Sequence, residues 1–225
     1  MQDRCNSESR LDSYGRSISR KKLKSFKPLE PKPKMNLFIL SANPKDAAQA
    51  HVDKHVVKMI LEACQMLYSA HYTAEYPELL NQKSAVAVSK AQKLLETPKS
   101  LKEAPKQKNG TQGYRPVHLH HPCTKWIRAS MQNYEWAVDL AVELGNEYHY
   151  RYGKEHSCME HALFLMENPP DLQELGLQPF AIAMQPQYKI SDDPIECYHH
   201  YYRTQKAEKG IIQYTRREKP KFLTV

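Results

Sequence analysis

The chain has 225 residues, 40% of them hydrophobic and 26% charged, with a formal net charge of +8. That is enough for one domain of ordinary size plus tails. No run approaches the roughly 18 apolar residues of a membrane span, and no apolar signal core follows the N-terminal basic residues, so the expectation is an intracellular protein without a membrane partner.

The excess of positive charge is unevenly spread. Residues 1–34 hold ten Lys/Arg against four Asp/Glu, residues 81–113 hold seven Lys against two Glu, and the remainder is net acidic. Basic segments of this kind either grip phosphates through counterion release or serve as solubilising elements. Five cysteines, at positions 5, 64, 123, 158 and 197, include no CxxC pair, so neither a disulfide framework nor a Cys-rich zinc module is signalled.

In chain order, residues 1–34 are rich in Ser, Lys and Pro and lack apolar periodicity, which predicts a disordered basic N-terminal arm. A single helical domain is expected over 35–210. It opens with MNLFILS, a short apolar run that reads either as a strand or as a buried extended segment. Asn43-Pro44 is a helix opening, Asn as cap and Pro at the first position. The steps Ala48, Val52, Val56, Ile60, Ala63 and Leu67 then predict one long helix to about Ala70. The Lys-rich stretch 81–113, with Pro98, Pro105 and Asn109-Gly110, reads as a surface insertion or mobile loop with one short helix around Ala85 to Leu95.

After the polar turn HLHHP, a second long helix from Pro122 carries both tryptophans, buries Trp126, Ser130, Tyr134, Ala137, Ala141 and Leu144, and stops at or before Gly153. Ser157 and Glu160 form a capping-box pattern for a helix over about Cys158 to Glu167, ended by Pro169-Pro170. A last helix is expected from Asp193-Pro194 to near Gly210, followed by a basic C-terminal tail over 211–225. The fold class is therefore mainly α, a compact helical domain with a short N-terminal extended segment.

Two groups of residues can carry chemistry. On the first predicted helix, His51, His55, Lys58 and Glu62 follow one another at steps of four, three and four and share a face. Imidazole titrates near neutrality and a neighbouring Glu tunes it, so this face suits acid/base work or a phosphate contact, or is an ordinary solvated face. Arg115, His118, His120, His121, Lys125 and Arg128 surround the turn into the tryptophan helix and supply the guanidinium, imidazole and ammonium groups that contact nucleic acid. His51 and His55 have the spacing of two zinc ligands but lack the HExxH motif, and His118, His120, His121 and Cys123 have no matching Cys/His knuckle. No metal or other cofactor is expected. GxxxxGK[ST], GxGxxG and GxSxG motifs do not occur, so nucleotide hydrolysis, dinucleotide chemistry and serine-hydrolase chemistry have no motif support.

The segments MNLFILSANP, HVDKHVVKMILEACQML, HHPCTKWIRASMQNYEWAVDL, EYHYRYGKEH, LQPFAIAMQPQY and DPIECYHHYYR, covering most of 35–204, resemble an uncharacterised family seen in phages and large DNA viruses. More distantly, the order of a short N-terminal segment, a helix, a loop ending in HP and a second helix resembles the pyrimidine-dimer DNA glycosylase (endonuclease V) family. That family is a compact helical domain whose N-terminal amine attacks the damaged nucleoside sugar, forms an imine and cleaves the strand with help from a carboxylate. The resemblance implies a reacting amine at the start of MNLFIL, the charged helix face at the DNA, and His121-Pro122 near the site. Thirty-four residues precede Met35, so a free amine there requires removal of the arm or a later start. Asp53 and Glu62 are both candidates for the carboxylate.

The expectation is a viral protein of nucleic-acid metabolism, placed in host cytoplasm or nucleus, that acts as a glycosylase or lyase on damaged or modified DNA. His51 and His55 would supply acid/base or phosphate contacts, Lys58 a phosphate contact or an amine, and Glu62 a carboxylate that stabilises positive charge on the sugar. The alternative is a non-enzymatic module that binds nucleic acid or a host protein.

Overall fold

The structure, a computed structural model, describes residues 36–224, so the arm expected over 1–34 lies outside the described residues. Among the described residues there are seven α-helices and no strand: α1 (Pro44–Ala50), α2 (Asp53–Glu75), α3 (Ala85–Gln92), α4 (Pro122–Ile127), α5 (Met131–Tyr152), α6 (Met159–Glu167) and α7 (Pro194–Tyr201). The mainly α expectation holds. Residues 36–40 take the second of the two forms open to MNLFILS, running extended and buried with no strand partner.

The long helices α2 and α5 pack as the central pair, with α1 and α6 against α5 and α4 against α2. Ala48, Val52, Val56, Ile60, Ala63 and Leu67 are all fully buried, as their spacing requires. Each large aliphatic side chain so enclosed contributes about 1.5–3 kcal/mol. No helix among the described residues is long and apolar enough to cross a membrane.

Local features that the pattern marked are in place. Asn43 Oδ1 accepts from the Asp46 N–H at 3.1 Å, Asp193 Oδ1 accepts from the Ile195 N–H at 2.8 Å, and Gly153 ends α5 in the left-handed region. Gly113, in the Lys-rich stretch, has φ 58° and leaves no room for a side chain, since a Cβ there would meet the Tyr68 ring at 2.6 Å. That stretch contains α3 where a short helix was expected, and its Val88, Leu101 and Ala104 are buried.

Four expectations are corrected. The first predicted helix is two, broken at His51-Val52, because the N–H of Asp53 is taken by the Gln213 carbonyl (2.9 Å) instead of by a preceding turn. The tryptophan helix is also two. Ser130 caps α5 by accepting from the Asn133 N–H at 3.2 Å and donates to Gly176 O at 2.9 Å, while Met131 N–H donates to Gln173 O. The capping box at Ser157 does not form; α6 begins at Met159, and the Cys158 N–H is satisfied by His156 Nδ1 at 3.1 Å. The last helix keeps its expected extent, from Pro194 to Glu208, with a π-turn over Tyr202–Lys206 inside it. Residues 211–224, read as a basic tail, lie on the domain: Tyr214 donates to Ala50 O at 2.8 Å, Arg217 pairs with Glu147, and Phe222 stacks on His199 at 3.8 Å.

Candidate functional site

The extended segment brings Asn36 to a point where α2, α4 and α7 converge. Its backbone N–H donates to Glu62 Oε2 at 2.9 Å, and its side-chain N–H donates to Ala183 O at 2.8 Å. Its Oδ1 accepts from the Cys123 thiol at 3.3 Å and faces the Tyr198 hydroxyl at 3.2 Å. The position that opens the domain is thus held through its backbone N–H and both side-chain polar atoms, and Glu62 is fixed with it.

Glu62 is only 6% exposed, and its second oxygen receives the ammonium of Lys58 at 2.6 Å. Lys58 is half-exposed, so this end of the group reaches solvent while the carboxylate stays enclosed. Nearly two turns back on α2, His55 is 6% exposed, stacked face to face on Phe38 (ring centroids 4.3 Å apart) and hydrogen-bonded through Nδ1 to the Tyr202 hydroxyl at 2.6 Å. Burial holds His55 well below its ordinary pKa, and His51, Lys206 and Lys58 push the same way. It is a neutral imidazole.

Lys206 completes the group from the π-turn. It is 9% exposed, with its ammonium over the rings of Phe38 (5.0 Å) and Tyr201 (4.7 Å). Burial pushes it down to about 8, Lys209 and Lys58 add to this, and Glu62 opposes them. Cys123 is a buried thiol pushed up to about 12, chiefly by burial, which makes it a packing and hydrogen-bonding group and not a thiolate.

Of the four residues read from the first helix, His55, Lys58 and Glu62 share one face of α2. His51 lies in the break before α2, fully buried behind them, with its ring edge-on to those of Phe38 and His55, each 6.2 Å away. Its Nδ1 donates to Ala47 O at 2.6 Å in the neutral form, which leaves Nε2 enclosed without a partner, and burial lowers its pKa to about 4. A sealed neutral imidazole offers no cation to a phosphate. Between the two candidate carboxylates the geometry discriminates as well. Asp53 is committed to Arg151 at 2.9 Å and to the N–H and hydroxyl of Thr215, each at 2.9 Å, whereas Glu62 lies against Asn36.

Around the HP turn, Arg115, His118, His120 and Lys125 are exposed, and His120 Nε2 meets Gln82 O at 2.8 Å, which ties the turn to the Lys-rich stretch. His121 caps α4 by accepting from the Cys123 N–H at 3.2 Å, and the Arg128 guanidinium donates to Leu119 O, so these two hold the turn's shape. Trp126 and Trp136 are buried against Phe180, tilted and edge-on to its ring respectively, and donate to Gln178 O and Ala42 O; they are core. Asn36, Tyr202 and Lys206 were not among the catalytic or nucleic-acid-binding candidates read from the sequence. The only local signal for the last two is the dense aromatic and basic run YHHYYRTQK, which reads equally well as a charged helix end.

Among the described residues no group of three or more His, Cys, Asp or Glu side chains is placed to hold a metal ion. No family model, curated protein or solved structure matches the chain.

Proposed function

We propose that this protein acts on DNA as a glycosylase with abasic-site lyase activity, removing a damaged or modified base and cleaving the strand through an imine. The observation that carries the reading is the enclosed carboxylate of Glu62 held against the N–H of Asn36, one peptide bond from residue 35. An imine mechanism requires an amine and a carboxylate within reach of one sugar. The carboxylate stabilises the cationic sugar, then takes the proton lost from C2′, and the fold offers Lys58 and Lys206 as neighbouring amines. Enclosure strengthens both effects, because a charge in low dielectric acts more strongly on a neighbouring cation. The exposed Arg115, His118, His120 and Lys125, beside the Lys-rich stretch, supply phosphate contacts that position the duplex.

Borohydride trapping on DNA containing an abasic site tests the reading, with the full chain and with a chain beginning at Met35. A covalent adduct is the expected result. The exposed basic groups also support a second reading, a binding module for nucleic acid or a host protein. Salt-sensitive DNA binding without any adduct selects that reading, and no DNA binding at low salt removes DNA as the partner.

A further inference from the structure

Within a chain that continues upstream of Met35, the nitrogen of residue 35 is an amide, whose lone pair is delocalised into the carbonyl and does not attack an aldehyde. An imine formed by the full-length chain then needs an amine other than that nitrogen, and a side-chain amine close to Glu62 can supply it. Among the described residues two lysines qualify. Lys58 has its ammonium committed to Glu62 Oε1 at 2.6 Å. The ammonium of Lys206 makes no ion pair and no hydrogen bond to any described residue; it lies over the faces of Phe38 and Tyr201. Lys206 as a residue is 9% exposed, so it is enclosed but not wholly sealed.

Resting on the function proposed above, we infer that Lys206 is the amine through which the full-length chain condenses with the C1′ aldehyde of an abasic deoxyribose, Glu62 taking the C2′ proton. Three placements carry this. Lys206 sits in the π-turn, a distortion that costs regular helix hydrogen bonding and recurs at functional positions. The turn brings its ammonium over the same Phe38 ring that stacks on His55, which on α2 lies one helical turn from Lys58 and two from Glu62. Burial and the nearby cations Lys58 and Lys209 disfavour the protonated form, and Glu62 opposes them, so the free amine is accessible near pH 8.

The step balances without any further reagent. The Lys206 nitrogen adds to C1′, water leaves, and a protonated imine forms. Glu62 accepts the C2′ proton as the C3′–O bond breaks and the 3′ phosphate departs with its electron pair. Hydrolysis by water then returns the lysine and releases the unsaturated sugar.

The experiment is borohydride trapping of the full-length chain on a duplex with one abasic site, with the adduct located by peptide mass spectrometry and the trapping rate measured from pH 6 to 10. The expected result is an adduct on the peptide containing Lys206, a rate rising with pH to a midpoint near 8, and at least a tenfold loss of adduct in Lys206→Arg. The pH profile and the mapping use the unaltered chain, so they stand even where a variant fails to fold. An adduct on Lys58, or one formed only by a chain beginning at Met35 and mapping to its first residue, overturns the Lys206 assignment and leaves the lyase reading standing. Absence of an adduct in every form overturns both.

Discussion

Two charged clusters sit at opposite ends of the N-terminal half of α2, and they are built on different terms. At one end Arg151, its side chain fully buried, is shared by Asp53 at 2.9 Å, Glu147 at 2.7 Å and Gln49 O at 3.0 Å; Glu147 in turn pairs with Arg217 at 2.8 Å. Every charge there has an opposite partner in contact, and burial, which raises Asp53, is outweighed by the Thr215 and Arg151 hydrogen bonds, so its carboxyl stays below the ordinary value. At the other end one carboxylate, Glu62, faces two lysines, of which only Lys58 is paired, while Lys206 is left on aromatic faces. The balanced cluster fastens the C-terminal segment to the core. The unbalanced one stores the energetic cost of a misfit amine, the kind of imbalance found at chemical sites.

The contrast is most easily broken at Arg151. Arg151→Met leaves Asp53 to its Thr215 hydrogen bonds and buried Glu147 to Arg217, and the expected loss is about 3 kcal/mol of folding stability, read by chemical denaturation. A loss below about 1 kcal/mol would show that the cluster is solvated and loosely held.

His51 lies between the clusters, its ring 6.2 Å from that of His55 and its charge state governed by burial, then by the Ala47 carbonyl, then by Arg151 and Glu147. With a folded pKa of about 4 against an unfolded 6.5, its contribution is present in full above pH 6.5 and is lost as the pH falls from 6.5 towards 4. The size is roughly 3 kcal/mol. Denaturation midpoints measured across that window should drop steeply in the native chain and less steeply in His51→Gln; equal slopes would contradict the sealed neutral ring.

Glu62→Gln sharpens the other side. It keeps an acceptor for the Asn36 N–H but removes the charge, so strand cleavage at an abasic site should fall about a hundredfold, about 3 kcal/mol in the barrier. The melting temperature should move little, and a variant cleaving at the native rate would leave Glu62 with a structural role only. Tyr202→Phe removes one buried hydrogen bond to His55 and should cost about 1 kcal/mol of stability, measured by denaturation. Replacing Lys90, Lys93 and Lys99 with Gln should change stability by less than about 0.5 kcal/mol. The same change should lower the slope of DNA affinity against salt by about 0.9 for each phosphate that these lysines neutralise.

The helical content and the buried stripes were legible from residue spacing, because side chains three and four apart share a helix face whatever lies beyond it. The caps at Asn43 and Asp193 and the stop at Gly153 were legible for the same reason: each is a bond between near neighbours. The breaks at His51-Val52 and at Arg128–Ser130 were not, since the groups that satisfy them, Gln213 O and the carbonyls of Gln173 and Gly176, come from far along the chain. Three of the four residues read from the first helix do face one centre, but their spacing showed only a shared direction.

Chain order alone settled which residues could form helices and which faces were apolar, since both follow from local steric and hydrogen-bonding rules. Tertiary packing decided that Asn36 meets Glu62, that Tyr202 meets His55, and that Asp53 and not Glu62 is bound to Arg151. The physical reason is that those partners are 26, 147 and 98 positions apart. No periodicity spans such intervals, and only the burial of a common core brings their side chains together.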